Sequence, residues 1–260
     1  MHWPERLKPE LNEDGKPVKL PTMKLAQKLS NELGEAIAWN DLKQVIEMDG
    51  EEIADIEFRT TYMDLQEAKI FVSKEAAQDA LVRAARWNRY HPVRQYLESC
   101  NDPLPDDIWE NIAVHLFGGN AESFDNSTLR KWLIFAVARI YEPGCPCGFI
   151  HILSGPQHYY KTRFYNTLAS EAWFYEGFVK TNKDTDDICG LHTRWICEWG
   201  ELDGGVKQHE SAGLKNFITR KTDIVREAYG RGQKERPRQF VLCGTTNKED
   251  GFFSDETGNR

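Results

Sequence analysis

The sequence predicts an α/β protein: a mainly helical N-terminal region, residues 1–125, then a domain with a mostly parallel sheet, residues 126–260. Three observations carry this. Before residue 142 the apolar residues recur mostly at helical spacing. After it come three short apolar runs bounded by turns, residues 149–154 (FIHILS), 195–199 (WICEW) and 239–244 (QFVLCG), far enough apart for a helix to cross between each pair. The first run leads directly into a polar loop that opens on a glycine and ends in a helical stretch.

Residues 1–20 are polar and hold three prolines, which reads as an extended lead-in. Residues 23–33 have helical texture. Residues 36–39, 45–48 and 53–58 read as short strands or turns around the Asp49-Gly50 turn signal. Ser73 is an N-cap for a helix over 74–88, whose Ala77, Ala80, Leu81, Ala84 and Ala85 share one face. His91-Pro92 ends it, because a residue before proline disfavours helical geometry, and another helix starts over 93–100. Pro103 and Pro105 separate this from 108–117. Gly118-Gly119-Asn120 opens a polar linker to Ser127, the expected cap of a helix over 129–141, which Pro143-Gly144 ends.

A net charge of −8 excludes a uniformly basic nucleic-acid coat, but the charge is uneven. Residues 1–60 carry 8 Lys+Arg against 13 Asp+Glu, whereas 205–240 carry 9 against 4, enough for local phosphate contacts or simply for a solvated helix face. No apolar run approaches the roughly 20 residues of a membrane helix, and no signal-peptide core follows Met1, so a cytoplasmic chain without membrane partners is expected. The six cysteines lack zinc-site spacing; Cys145-Pro-Cys147 with His151 is the nearest pattern, and His151 falls inside an expected core strand, which favours buried thiols.

The chemistry starts at Ser154-Gly155-Pro156-Gln157-His158-Tyr159-Tyr160-Lys161-Thr162-Arg163. Between a strand and a helix, a P-loop reads GxxxxGK[ST]; Gly155, Lys161 and Thr162 match it in position and type. Backbone N–H groups and the helix N-terminus cradle phosphate oxygens, the lysine reaches the β- and γ-phosphates, and the hydroxyl helps hold Mg²⁺. The glycine before the lysine is here Tyr160. A side chain forced into glycine geometry costs about 1–3 kcal/mol, so the loop is expected to change shape or bind nucleotide weakly.

The second strand ends in Glu198, with Glu201 three residues on, where an acid beside a P-loop handles Mg²⁺ and the attacking water. Taken alone, the pair is also explained as two surface acids after a core strand. The third strand runs into Asn247, an amide able to orient water or sense the γ-phosphate, or else a turn residue.

His91-Pro-Val-Arg-Gln-Tyr-Leu97, Pro143-Gly144-Cys145, the loop from Gly155 to Thr162, residues 195–202 and Leu214-Lys-Asn-Phe-Ile-Thr-Arg220 occur in an order that resembles the virulence-associated E (VapE) family. So do Asp223, Arg226, Tyr229-Gly-Arg231, Arg236-Pro-Arg238, Thr245-Thr-Asn247 and the closing Asp255-Glu-Thr-Gly-Asn-Arg260. The resemblance is strong from His91 onward and loose before it. It implies an AAA+-like ATPase similar to superfamily III helicases, found in phages and mobile elements, often with a primase as partner or fused domain. By that likeness Gly155 to Arg163 bind ATP, Thr162 and Glu198 hold Mg²⁺, and Glu198, Glu201, Asn247, Arg226 and Arg231 are catalytic. Lys215, Arg220, Arg238 and Arg260, with Arg226 and Arg231, are candidates for DNA contacts or for trans-acting arginines in a homo-oligomeric ring. The family's loop usually reads Gly-x-Gly-Lys where this chain has His158-Tyr159-Tyr160-Lys161, and its sequence continues past Arg260, so a truncated C-terminus is expected.

Two functions follow as expectations: an ATP-dependent DNA helicase or translocase of phage or mobile-element replication, or a degenerate P-loop scaffold that binds DNA or a replisome partner without turnover. Primase chemistry itself needs clustered carboxylates on an antiparallel sheet, which this sequence does not offer.

Overall fold

The computed structural model describes residues 3–118, 122–178, 185–200, 215–226 and 232–247. By its internal contacts the chain divides into two compact units, Met1–Pro92 and Val93 onward.

In the first unit, helix α1 (Thr22–Leu33) is followed by strands β1 (Ile37–Asn40), β2 (Val45–Met48) and β3 (Glu51–Glu52), helices α2 (Asp55–Glu67) and α3 (Lys74–Trp87), and strand β4 (Arg89–Tyr90). The strands form one sheet in the order β3-β2-β1-β4, antiparallel except for the β1–β4 pair. Asp49 (φ 53) and Gly50 (φ 84) are the two left-handed residues of the β2–β3 hairpin, the geometry an Asp-Gly pair favours. The Ser73 side chain accepts from Ala76 N and starts α3, whose Ala77, Ala80, Leu81, Ala84 and Ala85 are buried beside Leu25 and Leu29 of α1. Residues 53–58, expected as strand or turn, instead begin α2: Glu57 reaches back to accept the backbone N–H of Ala54, closing the helix start.

The second unit opens with α4 (Pro92–Ser99), α5 (Asp106–Glu110), α6 (Ile112–Phe117) and α7 (Ser123–Tyr141). Helix α7 begins four residues before its expected cap at Ser127, because Asp125 accepts from Glu122 N and supplies the cap itself. Asn126 then accepts from Ala113 N and ties α7 to α6, and α5 packs against both helices. Next come β5 (His151–Ser154), α8 (Lys161–Leu168), β6 (Phe174–Phe178), α9 (Thr185–Leu191), β7 (Ile196–Trp199), the antiparallel hairpin β8 (Thr222–Arg226) and β9 (Gln233–Pro237), and β10 (Val241–Thr246).

The four strands β5-β10-β7-β6 are parallel throughout, so the fold is α/β as the sequence predicts. Three of them are the three predicted apolar runs; β6 was not expected, its apolar pattern being interrupted by Glu176 and by Gly177 at φ 74. Helix α7 crosses the sheet near the strand beginnings. Trp132 Nε1 donates to Leu242 O (2.9 Å), Trp195 Nε1 to Ala136 O (2.8 Å) and Arg139 Nη1 to Phe240 O (2.6 Å). Gly144 has φ 85 and lies where a Cβ would meet Lys221 O and Pro237 Cβ at 3.3 Å, so only glycine fits after α7.

Candidate functional site

Parallel strands point their C-terminal ends the same way, and the loops there collect side chains from distant parts of the chain. The loop over 155–160 leaves β5 and enters α8, and Gly155 N donates back to Thr246 O at the end of β10 (3.3 Å). The loop keeps a glycine-type backbone at two positions that are not glycine: His158 lies at φ 71 and Tyr160, the N-cap of α8, at φ 56 and ψ 25. Both rings of Tyr159 and Tyr160 turn outward, 73% and 72% exposed, so neither plugs the loop. Pro156, Gln157 and His158 are also exposed, and the Arg163 guanidinium lies 5.8 Å from the centre of the Tyr160 ring.

Lys161 folds its amine back over the loop. Nζ donates to Gly155 O (2.7 Å) and Pro156 O (2.8 Å), and to Asn247 Oδ1 just beyond β10 (3.1 Å). One turn of chemistry away, the Thr162 hydroxyl donates to Glu198 Oε1 (2.9 Å). Glu198 is buried in β7, and Thr245 Oγ1 donates to the same oxygen from β10 (2.7 Å). Register explains the meeting: Cys243 pairs with Glu198, and Thr245, two residues on, shares its face of the sheet. Thr245 escaped the sequence reading, because that strand was expected to end at Gly244.

The four groups Lys161, Thr162, Glu198 and Asn247, from three separate segments, therefore form one connected site. Its donor set fits a divalent cation: a hydroxyl and a carboxylate at the mouth of a loop are hard oxygen ligands of the kind Mg²⁺ takes. Among the described residues no group of three or more His, Cys, Asp or Glu side chains is arranged to hold a metal on its own. Near the Cys145-Pro-Cys147 pattern, His151 is committed elsewhere. Its Nδ1 lies 2.8 Å from the Tyr165 hydroxyl, which donates to the His151 carbonyl (3.0 Å), and burial pushes the imidazole pKa down to about 4.

The arginine candidates separate. Arg238 is fully buried and cannot reach DNA or another subunit: Nε and Nη2 bind Asp223 as a fork (2.6 and 2.8 Å) and Nη1 donates to Phe217 O (2.6 Å). Burial opposes the Asp223 charge, but the bonds from His192 and Arg238 hold that carboxyl well below the usual range. Arg236 is buried too, and desolvation lowers its pKa to about 10. The basic segment is thus partly a buried charge network. Lys215 is half-buried, and Arg220 and Arg226 are exposed. Glu201, Arg231 and Arg260 lie outside the described residues.

The model of the virulence-associated protein E-like domain matches residues 97–260. None of the curated proteins matches. Among solved structures, the apo NrS-1 C-terminal region is similar, with 12% identity and a TM-score of 0.49 over 89% of this chain, which spans 58% of that one. Among the described residues no helix is long and apolar enough to cross a membrane. With well over half of its length matched, the chain belongs to the virulence-associated protein E-like family.

Proposed function

We propose that the second unit is a P-loop, AAA+-like ATPase that couples Mg²⁺-ATP hydrolysis to movement on DNA during replication of a phage or mobile element. The observation that carries this reading is the bond from Thr162 to Glu198, with the Lys161 amine gathered on the loop beside them. ATP would place its phosphates in the loop over 155–162, release Lys161 from the carbonyls, and bind Mg²⁺ between the Thr162 hydroxyl and Glu198. Asn247, already on the Lys161 amine, sits where a side-chain amide can orient the attacking water. Exposed Arg220 and Arg226, with half-buried Lys215, are the remaining described candidates for contacts to DNA or to a neighbouring subunit in a ring, and a primase is the expected functional partner.

The test is ATP turnover with Mg²⁺, with and without single-stranded DNA. We expect DNA-stimulated hydrolysis that Lys161→Ala abolishes; activity indifferent to that substitution removes the assignment.

The backbone of Tyr160 favours a second reading. A tyrosine held in left-handed geometry stores about 1–2 kcal/mol of strain in a loop that must rearrange around phosphate. In that reading the loop is a vestige and the chain binds DNA or a replication partner without turnover. Nucleotide titration separates the two.

A further inference from the structure

A cleft of about 1240 Å³ opens beside β5, the end strand of its sheet among the described residues, and runs into the phosphate loop. Gly155, Pro156 and Lys161 line it together with Phe117, Phe124, Phe149 and Phe164. The aromatic groups come from four segments: the end of α6, the first turn of α7, the approach to β5, and α8. Phe117 and Phe164 already meet edge to face, with centroids 5.1 Å apart. Phe124 is 73% exposed and Phe117 45%, a cost in solvated apolar surface that folding alone does not explain.

Three polar side chains of the lining are bonded within the protein. Asp125 accepts the Glu122 N–H (2.8 Å), and Thr128 Oγ1 donates to Phe124 O and Asp125 O (3.0 and 3.1 Å). His151 is bound to Tyr165. Lys131 adds a flexible donor, which any nucleobase can meet with a ring nitrogen or a carbonyl oxygen. Such a lining can grip the faces of a planar heteroaromatic ring, and among the described residues it holds no Asn or Gln, the side chains that set a donor and an acceptor together against one base edge.

We propose that this cleft holds the base of a nucleoside triphosphate by stacking, so that the chain takes purine and pyrimidine triphosphates alike. The proposal rests on the phosphate-loop reading above and adds a base subsite to it. Loop residues and aromatic residues line the same cleft, so a single ligand would reach both, and the aromatic groups would supply binding free energy that the strained loop withholds. Selectivity among bases is then low, because every base presents a π-face.

Calorimetric titration of the full chain tests this with ATP, GTP, CTP, UTP and inorganic triphosphate, each with Mg²⁺. The four nucleotides are expected to bind within about threefold of one another, since stacking scarcely distinguishes bases. They should bind about tenfold or more tightly than triphosphate, the scale of one base–aromatic stack. Phe124→Ala, at an exposed position where truncation leaves the core intact, should remove that advantage and leave triphosphate binding unchanged. Equal affinity for nucleotides and triphosphate overturns the base subsite while the phosphate loop survives. So does a single base preferred by more than about tenfold, the mark of an edge-reading contact. Failure of every ligand, triphosphate included, overturns the phosphate-loop reading and the subsite together.

Discussion

Thr162 and Thr245 donate to the same oxygen of Glu198, from 2.9 and 2.7 Å, although 83 positions of chain separate the two hydroxyls. They hold it differently. Thr162 begins the helix that follows the phosphate loop and is the hydroxyl a metal ion would recruit. Thr245 belongs to the neighbouring strand β10, so it would still hold Glu198 if a cation took Thr162.

Thr245→Val should therefore impair the metal-dependent step more than nucleotide binding. Losing a hydrogen bond to a charged group is worth about 1.5–3 kcal/mol, or roughly 10–100-fold. We expect the Mg²⁺ requirement of ATP turnover to rise on that scale, metal-free nucleotide affinity to hold, and Thr245→Ser to restore the wild-type profile. An unchanged Mg²⁺ titration for the valine variant would show that Thr245 plays no part in placing the acid.

Tyr160→Gly should stabilise the protein and improve nucleotide affinity at once. The left-handed backbone costs a tyrosine about 1–2 kcal/mol, and the extra freedom glycine gains on unfolding returns about 0.5–1 of that. A net gain near 0.5–1 kcal/mol follows, readable as a higher urea midpoint. A lower midpoint would mean that the outward ring makes contacts worth more than the strain.

Arg238→Ala should cost about 3–5 kcal/mol, since it strands the buried Asp223 carboxylate without its fork. Arg238→Lys should rescue little, because an ammonium cannot reproduce two parallel bonds and a third to the Phe217 carbonyl. Urea midpoints for both variants check this. A mild effect from alanine would return Arg238 to the surface candidates.

Acid should weaken the second unit through His151. Its ordinary value of 6.5 falls to about 4 on burial, so the unfolded chain binds the proton first. The stabilising contribution is complete above about pH 6.5 and is lost as pH falls toward 4, by up to about 3 kcal/mol. Subtracting the stability profile of His151→Asn from that of the wild type should reveal this slope between pH 6.5 and 4.5, above most carboxylate titration. A flat difference contradicts it.

Much of this was legible in the sequence where one local rule dominates. Ser73 caps α3 as its spacing to the alanine face predicts, Asp49-Gly50 turns the hairpin, and the three apolar runs become three parallel strands. Boundaries that depend on a side chain reaching backward were misjudged: Glu57 and Asp125 each start a helix the composition places later or omits. Arg238 was unreadable for a different reason. Arginine is a surface residue by default, and only the folded hairpin brings Asp223 under it. Thr245 needed the register of β10 against β7, which no spacing along the chain reveals.

Trp132, Trp195 and Arg139 bolt α7 to the sheet near the strand beginnings, while the loop, Glu198 and Asn247 cluster at the opposite rim. Architecture and chemistry thus occupy different ends of the same strands. Drift at the reactive rim, such as an aromatic pair arriving where small residues are usual, leaves the girders untouched. Under the proposed ATPase reading, a lineage could lose, retune or regain catalysis there without ever passing through an unfolded ancestor.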